Sequence, residues 1–277
     1  MAVRIVADSS SDLFSFEGID FRSVPLKIIT AEKEFVDEPG IDIDLLVDIL
    51  RNTTERTSTS CPNVFDWKAA FEGAQEIFAL TITSALSGSW AAAAEAAKEY
   101  EEEHPGARVH VIDTLSTGPE MRLLAEKLRD LATAGKTFDE MKAEITEYQK
   151  HTHLFFALES LRNLARNGRV SPAVAKVTEV LGIRFIGKAS DEGKLQQLHI
   201  ARGRRRTVNK TFEEMKKLGY KGGKVRITHC VSPETVTWLK QEILKEFPEA
   251  DVIIAPCTGL CSYYAEAGGI LVGFEDL

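Results

Sequence analysis

Along this chain, short β-branched runs alternate with stretches whose apolar positions recur every three or four residues. The runs at 3–7, 77–82 and 108–113 read as strands, and the stretches 89–103 and 120–134 read as helices. That alternation predicts a parallel sheet with helical crossovers. From about residue 153 the pattern changes: a strand at 153–158 leads into helical segments at 160–166 and 172–181. Two extended runs, 183–189 and 194–201, then flank Asp191-Glu192-Gly193, which is a hairpin signal. The remainder reads as strand 224–228, helix 233–247 and strands 251–255 and 270–274. The expected fold is therefore two-domain α/β, with residues 1–150 forming a parallel sheet with helical crossovers and residues 151–277 a mixed α/β domain. The division rests on the change of pattern after the helical stretch 138–150, because no Gly/Ser-rich linker marks it.

Composition narrows the class. A chain of 277 residues with 44% hydrophobic and 27% charged residues has the make-up of a soluble globular protein large enough for two cores. Its net charge of −8 argues against nonspecific binding to nucleic acid or to an anionic membrane. No apolar run approaches the roughly 20 residues needed to span a bilayer, so no stable membrane insertion is expected. The start of the chain meets polar Asp8-Ser9-Ser10-Ser11 too soon for a signal-peptide core. Four cysteines in a chain of this length do not form a disulfide framework, and a reduced, cytoplasmic protein is expected.

Two hydroxyl-rich segments stand out. Thr83-Ser84-Ala85-Leu86-Ser87-Gly88-Ser89 follows a predicted strand and opens an alanine-rich helix. Hydroxyls and free backbone N–H groups at the carboxyl end of a strand and the start of a helix make an anion site. Thr57-Ser58-Thr59-Ser60-Cys61-Pro62-Asn63 precedes a second helix at 64–74. Taken alone, each is explained by helix capping, worth about 1 kcal/mol. Together they could converge on one anion.

The ordered set of segments carries more. Val6-Ala7-Asp8-Ser9-Ser10-Ser11-Asp12, Thr59-Ser60-Cys61-Pro62, Ser84-Ala85-Leu86-Ser87-Gly88, Val111-Ile112-Asp113-Thr114, Leu164-Ala165-Arg166-Asn167-Gly168-Arg169-Val170 and Arg202 before a basic helix start resemble the DegV family. That resemblance implies a two-domain α/β shell enclosing one long-chain fatty acid, with the carboxylate held by hydroxyls between the domains. It assigns Thr59 and Ser87 as carboxylate ligands, with Ser60 and Gly88 shaping the site. It also implies a fatty-acid kinase as partner, Arg202 as a docking residue for it, and no cofactor or catalytic residue of the chain's own. Candidates for the acyl-chain wall are Phe155, Phe156, Ile183, Phe185 and Ile186, each of which, taken singly, is better explained as plain core.

The chain departs from the family pattern in one place. Where the family carries a His-x-Gly-Pro-Gly run whose His joins the carboxylate site, this chain has Cys261-Ser262-Tyr263-Tyr264 running on to Gly268-Gly269. Tyr263 or Tyr264 is the candidate replacement. The alternative function is an enzyme acting on a small phosphorylated or acyl substrate at the same anion site. It lacks sequence support, since no dinucleotide, phosphate-loop, zinc-protease or nucleophile-elbow motif is present. A Cys61 nucleophile paired with His229 is weaker still, because a free cysteine is usually a small core residue. The spacing of Cys230, Cys257 and Cys261 matches no common zinc pattern, so no metal is expected.

Overall fold

The structure, a computed structural model, describes residues 3–179 and 182–277. The first half runs β1 (Val3–Asp8), β2 (Asp20–Val24), β3 (Lys27–Ile29), β4 (Glu34–Val36), α1 (Ile43–Asn52) and β5 (Ser58–Ser60). It continues α2 (Val64–Phe71), β6 (Glu76–Thr81), α3 (Ser89–Glu103), β7 (Arg108–Asp113), α4 (Pro119–Thr133) and α5 (Phe138–Tyr148). The second half runs β8 (Thr152–Leu158), α6 (Arg162–Arg166), α7 (Pro172–Ala175), β9 (Ile183–Ala189), β10 (Leu195–Arg202) and α8 (Arg204–Lys217). It ends β11 (Val225–His229), α9 (Pro233–Glu246), β12 (Val252–Pro256), α10 (Gly259–Ala265) and β13 (Ile270–Glu275). The helix expected over 172–181 is one α-turn followed by a 3-10 turn to Glu179; positions 180–181 lie outside the described residues.

Strands β2-β1-β6-β7 form an all-parallel sheet with helices on both faces, as the alternation predicts. Burial on both faces is why these strands read as continuous apolar runs. Along β1 and β6 the residues still sort by parity: Ile5 and Phe78 pack toward Met121 and Leu124 of α4, while Val6 and Ala79 pack toward Trp67 of α2 and Ala93 of α3. The alanine face of α3 lets that helix sit close to the sheet.

The second sheet, β10-β9-β8-β13-β11-β12, is mixed, with only β11 and β12 parallel. One face packs on α8 and α9 through Phe155, Ile186, Val208, Val236 and Val272. Its other face meets α4, and a glycine makes that approach possible. A Cβ on Gly273 of β13 would lie 2.5 Å from the backbone nitrogen of Glu120 in the first turn of α4. Six residues further along α4, Glu126 accepts a two-pronged bond from Arg226 of β11, with Nε–Oε1 at 2.8 Å and Nη2–Oε2 at 2.7 Å, both side chains buried. Helix α4 therefore belongs to both cores.

A small antiparallel sheet, β4-β3-β5, has no counterpart in the sequence reading. Its strands span three residues each, too short to show a period. It matters because Thr59 sits in β5, paired to Ile28.

Candidate functional site

The carboxyl ends of β1, β6 and β7 point to one side of the parallel sheet and feed the loops that carry the first hydroxyl cluster. This is where open α/β sheets place their ligands. The segment after β6 is pinned at several points: Thr83 N–H donates to Ser116 O at 2.9 Å and Ser84 N–H to Asp113 Oδ1 at 3.1 Å. The second cluster comes alongside it from β5. A Cβ on Gly88 would lie 3.3 Å from Cys61 Sγ, so the Thr59-Ser60-Cys61 and Ser87-Gly88 segments touch.

Beside them opens a cavity of about 370 Å³. That volume falls in the range of roughly 300–1,000 Å³ typical of small-molecule pockets. Thr59, Ser60, Ser87, Gly88 and Tyr264 all line it. Its remaining walls are largely aliphatic, including Leu26, Ile82, Leu154, Leu158, Leu260 and Leu271, with Phe156 as the one phenylalanine among its described residues. Both halves of the chain contribute walls.

Thr59 Oγ1 and Tyr264 Oη are 2.8 Å apart. Burial raises the Tyr264 phenol above its ordinary value, with the Thr59 bond and the Arg169 charge opposing, so the phenol is a neutral hydroxyl at neutral pH. Ser87 Oγ accepts from Ser89 N–H at 3.3 Å, which uses one lone pair and leaves the hydroxyl proton available to the cavity.

Arg169 adds a cation to the polar lining, to which Thr83, Ser116, Thr117 and Lys194 also belong, and the sequence reading gave it no role. It lines the cavity and donates from Nε to Leu86 O at 3.2 Å, one residue from Ser87. Its placement follows from how α6 ends. Gly168, at φ +74°, donates to Ala165 O at 3.0 Å, and Arg169 N–H donates to Leu164 O at 2.8 Å. These are the two bonds of a Schellman cap, in which a left-handed glycine turns the chain back over the last helical turn. The Leu164-to-Arg169 segment thus sends both of its ends, Leu164 and Arg169, to the cavity wall.

Other expectations are corrected. Tyr263 does not reach the cavity: its hydroxyl bonds Thr57 Oγ1 and Asn167 Nδ2, each at 2.8 Å, in a separate core with Ile28 and Leu46. Consecutive residues on a helix point about 100° apart, so only one of the two tyrosines could face the site. Of the five acyl-wall candidates, only Phe156 lines the cavity. Phe155 and Ile186 lie on the opposite face of the sheet, under α8 and α9. Phe185 stacks behind Phe156 with centroids 6.2 Å apart, and Ile183 is half-buried at the start of β9, outside the lining. Leu154 and Leu158, two residues either side of Phe156, line the wall instead. A period-2 reading from Phe156 would have found them. Arg202 is exposed at the end of β10, apart from the cavity, and begins a run in which Arg204 pairs with Glu234 and Arg205 lies 4.2 Å over the ring of Trp238.

The β9–β10 hairpin leans over the site. Thr83 Oγ1 donates to Gly193 O at 3.0 Å, and a Cβ on Gly193, at φ +71°, would lie 2.0 Å from that same Oγ1. Only glycine fits there.

A family model described as "Uncharacterised protein, DegV family" matches residues 2–275. A DegV domain-containing protein of Streptococcus pneumoniae is 42% identical over 279 residues, covering 99% of each chain. Among solved structures, a DegV family protein from Eubacterium eligens loaded with heptadecanoic acid is 42% identical, with TM-score 0.98 and full coverage of both chains. The Streptococcus pneumoniae Fatty Acid Kinase (Fak) B3 protein loaded with linoleic acid gives the same identity, coverage and TM-score.

Proposed function

This chain belongs to the DegV family, and from that premise we propose that it binds one long-chain fatty acid and presents the carboxylate to a fatty-acid kinase, with no bond-making of its own. One observation carries the reading. Thr59, Ser87 and Tyr264 place three neutral hydroxyls, with the Arg169 cation, on the wall of a cavity whose lining is otherwise largely aliphatic. Hydroxyls donating to a carboxylate make charge-assisted bonds, while the tail supplies most of the affinity at about 0.8 kcal/mol per buried CH₂. The heptadecanoic and linoleic acids named for the two relatives at 42% identity support that ligand class, and the kinase named for the second supports the partner.

In this reading Thr59, Ser60, Ser87 and Gly88 hold the carboxylate, Tyr264 stands where the family's histidine stands, and Phe156 with the neighbouring leucines encloses the tail. We divide the chain near residue 150, the hydroxyl loops belonging to 1–150 and much of the acyl wall to 151–277. Exposed Arg202 is the docking residue for the kinase. The test is native mass spectrometry of the purified protein followed by titration with a fluorescent fatty acid. Stoichiometric fatty acid aboard, and weaker binding by Ser87→Ala and Thr59→Ala, are expected. Unchanged affinity in both variants would overturn the site assignment.

A further inference from the structure

Asp8, at the end of β1, has no access to solvent and does not line the cavity, yet it holds both ends of the loop that carries Ser87. Its Oδ2 accepts from Ile82 N–H at 2.9 Å, where the loop begins, and from Ser89 Oγ at 2.6 Å, where the loop enters α3. Its Oδ1 accepts from Ser10 Oγ. Ser89 in turn donates its backbone N–H to Ser87 Oγ. The bonds form a directed series: Asp8 fixes Ser89, Ser89 occupies a lone pair of Ser87, and the Ser87 proton is left to face the cavity. Helix α3 has no side-chain cap at Gly88, and its first residue is held instead through the Ser89 hydroxyl bonded to this carboxylate.

We propose that Asp8 is a positioning residue for the anion site, acting through Ser89 to aim the Ser87 hydroxyl and to fix the spacing between strand β6 and helix α3. The inference rests on the fatty-acid-carrier reading and adds to it a residue that touches no ligand. Burial pushes the Asp8 carboxyl above its ordinary range, and the bonds from Ser10, Ser89 and Ile82 oppose that shift. The role requires an acceptor oxygen at the Oδ2 position and not a full charge. Asparagine can supply that oxygen while its amide donates to Ser10, and alanine cannot.

A positioning role and a merely structural one predict different ligand dependence. A charged head group forms stronger hydrogen bonds than a neutral one and feels their misalignment more. The experiment measures affinity for heptadecanoic acid and for heptadecan-1-ol with wild type and the Asp8→Asn, Asp8→Ala and Ser89→Ala variants. Ser89→Ala removes one hydroxyl and is the variant expected to fold in any case. It and Asp8→Ala should each weaken acid binding about five- to tenfold, the scale of one lost hydrogen bond, and leave alcohol binding within about twofold, while Asp8→Asn stays near wild type. Equal losses for acid and alcohol, or unchanged acid binding in Ser89→Ala, would overturn the proposal. Ser87→Ala run in parallel separates the two claims. If it fails to weaken acid binding, the carrier site itself is misassigned; if it does and Ser89→Ala does not, only the role of Asp8 falls.

Discussion

The phenolic oxygen of Tyr264 lies 2.8 Å from Oγ1 of Thr59, across 205 positions of sequence, joining α10 to β5 at the cavity wall. A phenol held neutral by burial can donate to Thr59 and free the threonine proton for a ligand carboxylate. Tyr264→Phe should therefore weaken fatty-acid binding by about 1–1.5 kcal/mol, and cost little further when it is added to Thr59→Ala. Isothermal titration of the four proteins of this cycle decides it, and full additivity would show that the two hydroxyls act separately.

Arg202 should behave differently. It is exposed and away from the cavity, and charged rim residues act chiefly on association rate and its salt dependence. Arg202→Ala is expected to leave fatty-acid affinity within about twofold while lowering phosphorylation in a reconstituted kinase assay. Loss of lipid binding in this variant would move the arginine into the ligand site.

Thr83 and Gly193 hold the hairpin tip over the cavity through one buried bond. Thr83→Ala removes the donor and should speed fatty-acid release about fivefold, the equivalent of one ordinary hydrogen bond. Stopped-flow displacement measures this, and an unchanged release rate would mean that the tip does not restrain the ligand.

Glu120 carries a pH dependence. Burial pushes its carboxyl from 4.5 up to about 7, against opposing bonds from Ser116 and Thr152. The folded state therefore holds this proton more tightly than the unfolded chain, and the stability so contributed is complete below about pH 4.5 and lost as pH rises through 7. Glu120→Gln should match wild type near pH 4.5 and exceed it by up to about 3 kcal/mol at pH 8. Denaturant melts across that range test the sign. A difference that shrinks with rising pH would contradict it.

Arg226 and Glu126 are buried within one ionic network that Arg122 and Asp251 extend, so losing Arg226 leaves Glu126 with Arg122 as its remaining cation. Arg226→Met should destabilise the fold by about 3 kcal/mol, the lower end for a broken buried pair because Arg122 still bonds Glu126, and Arg226→Met with Glu126→Leu by clearly less. Chemical denaturation of the single and double variants would expose an error here if the double were the worse of the two.

The parallel sheet and its helices were readable because 77–82, 108–113 and 89–103 are long enough to show a period. The three-residue strands were not, and Ser58–Ser60 is so polar that it reads as a loop. Residue types and loops at the site were legible, and facing was not. Both faces of β8 are buried, so nothing in His153-Leu154-Phe155-Phe156 tells which phenylalanine meets the cavity and which the α8 side. Arg169 is hidden in the sequence because its role comes from a backbone cap, and Asp8 because its loop partners Ile82 and Ser89 lie more than 70 residues away.

Helix α4 bears on how the molecule comes apart. Its Met121 and Leu124 complete one core, while its first turn rests on Gly273 and its Glu126 is bonded to the other sheet. Neither half can melt without uncovering a face of this helix, so heating should give one calorimetric transition whose van't Hoff and measured enthalpies agree. A fragment cut at residue 150 would keep α4 yet leave Glu126 without Arg226, and aggregation is the expected fate of such a piece.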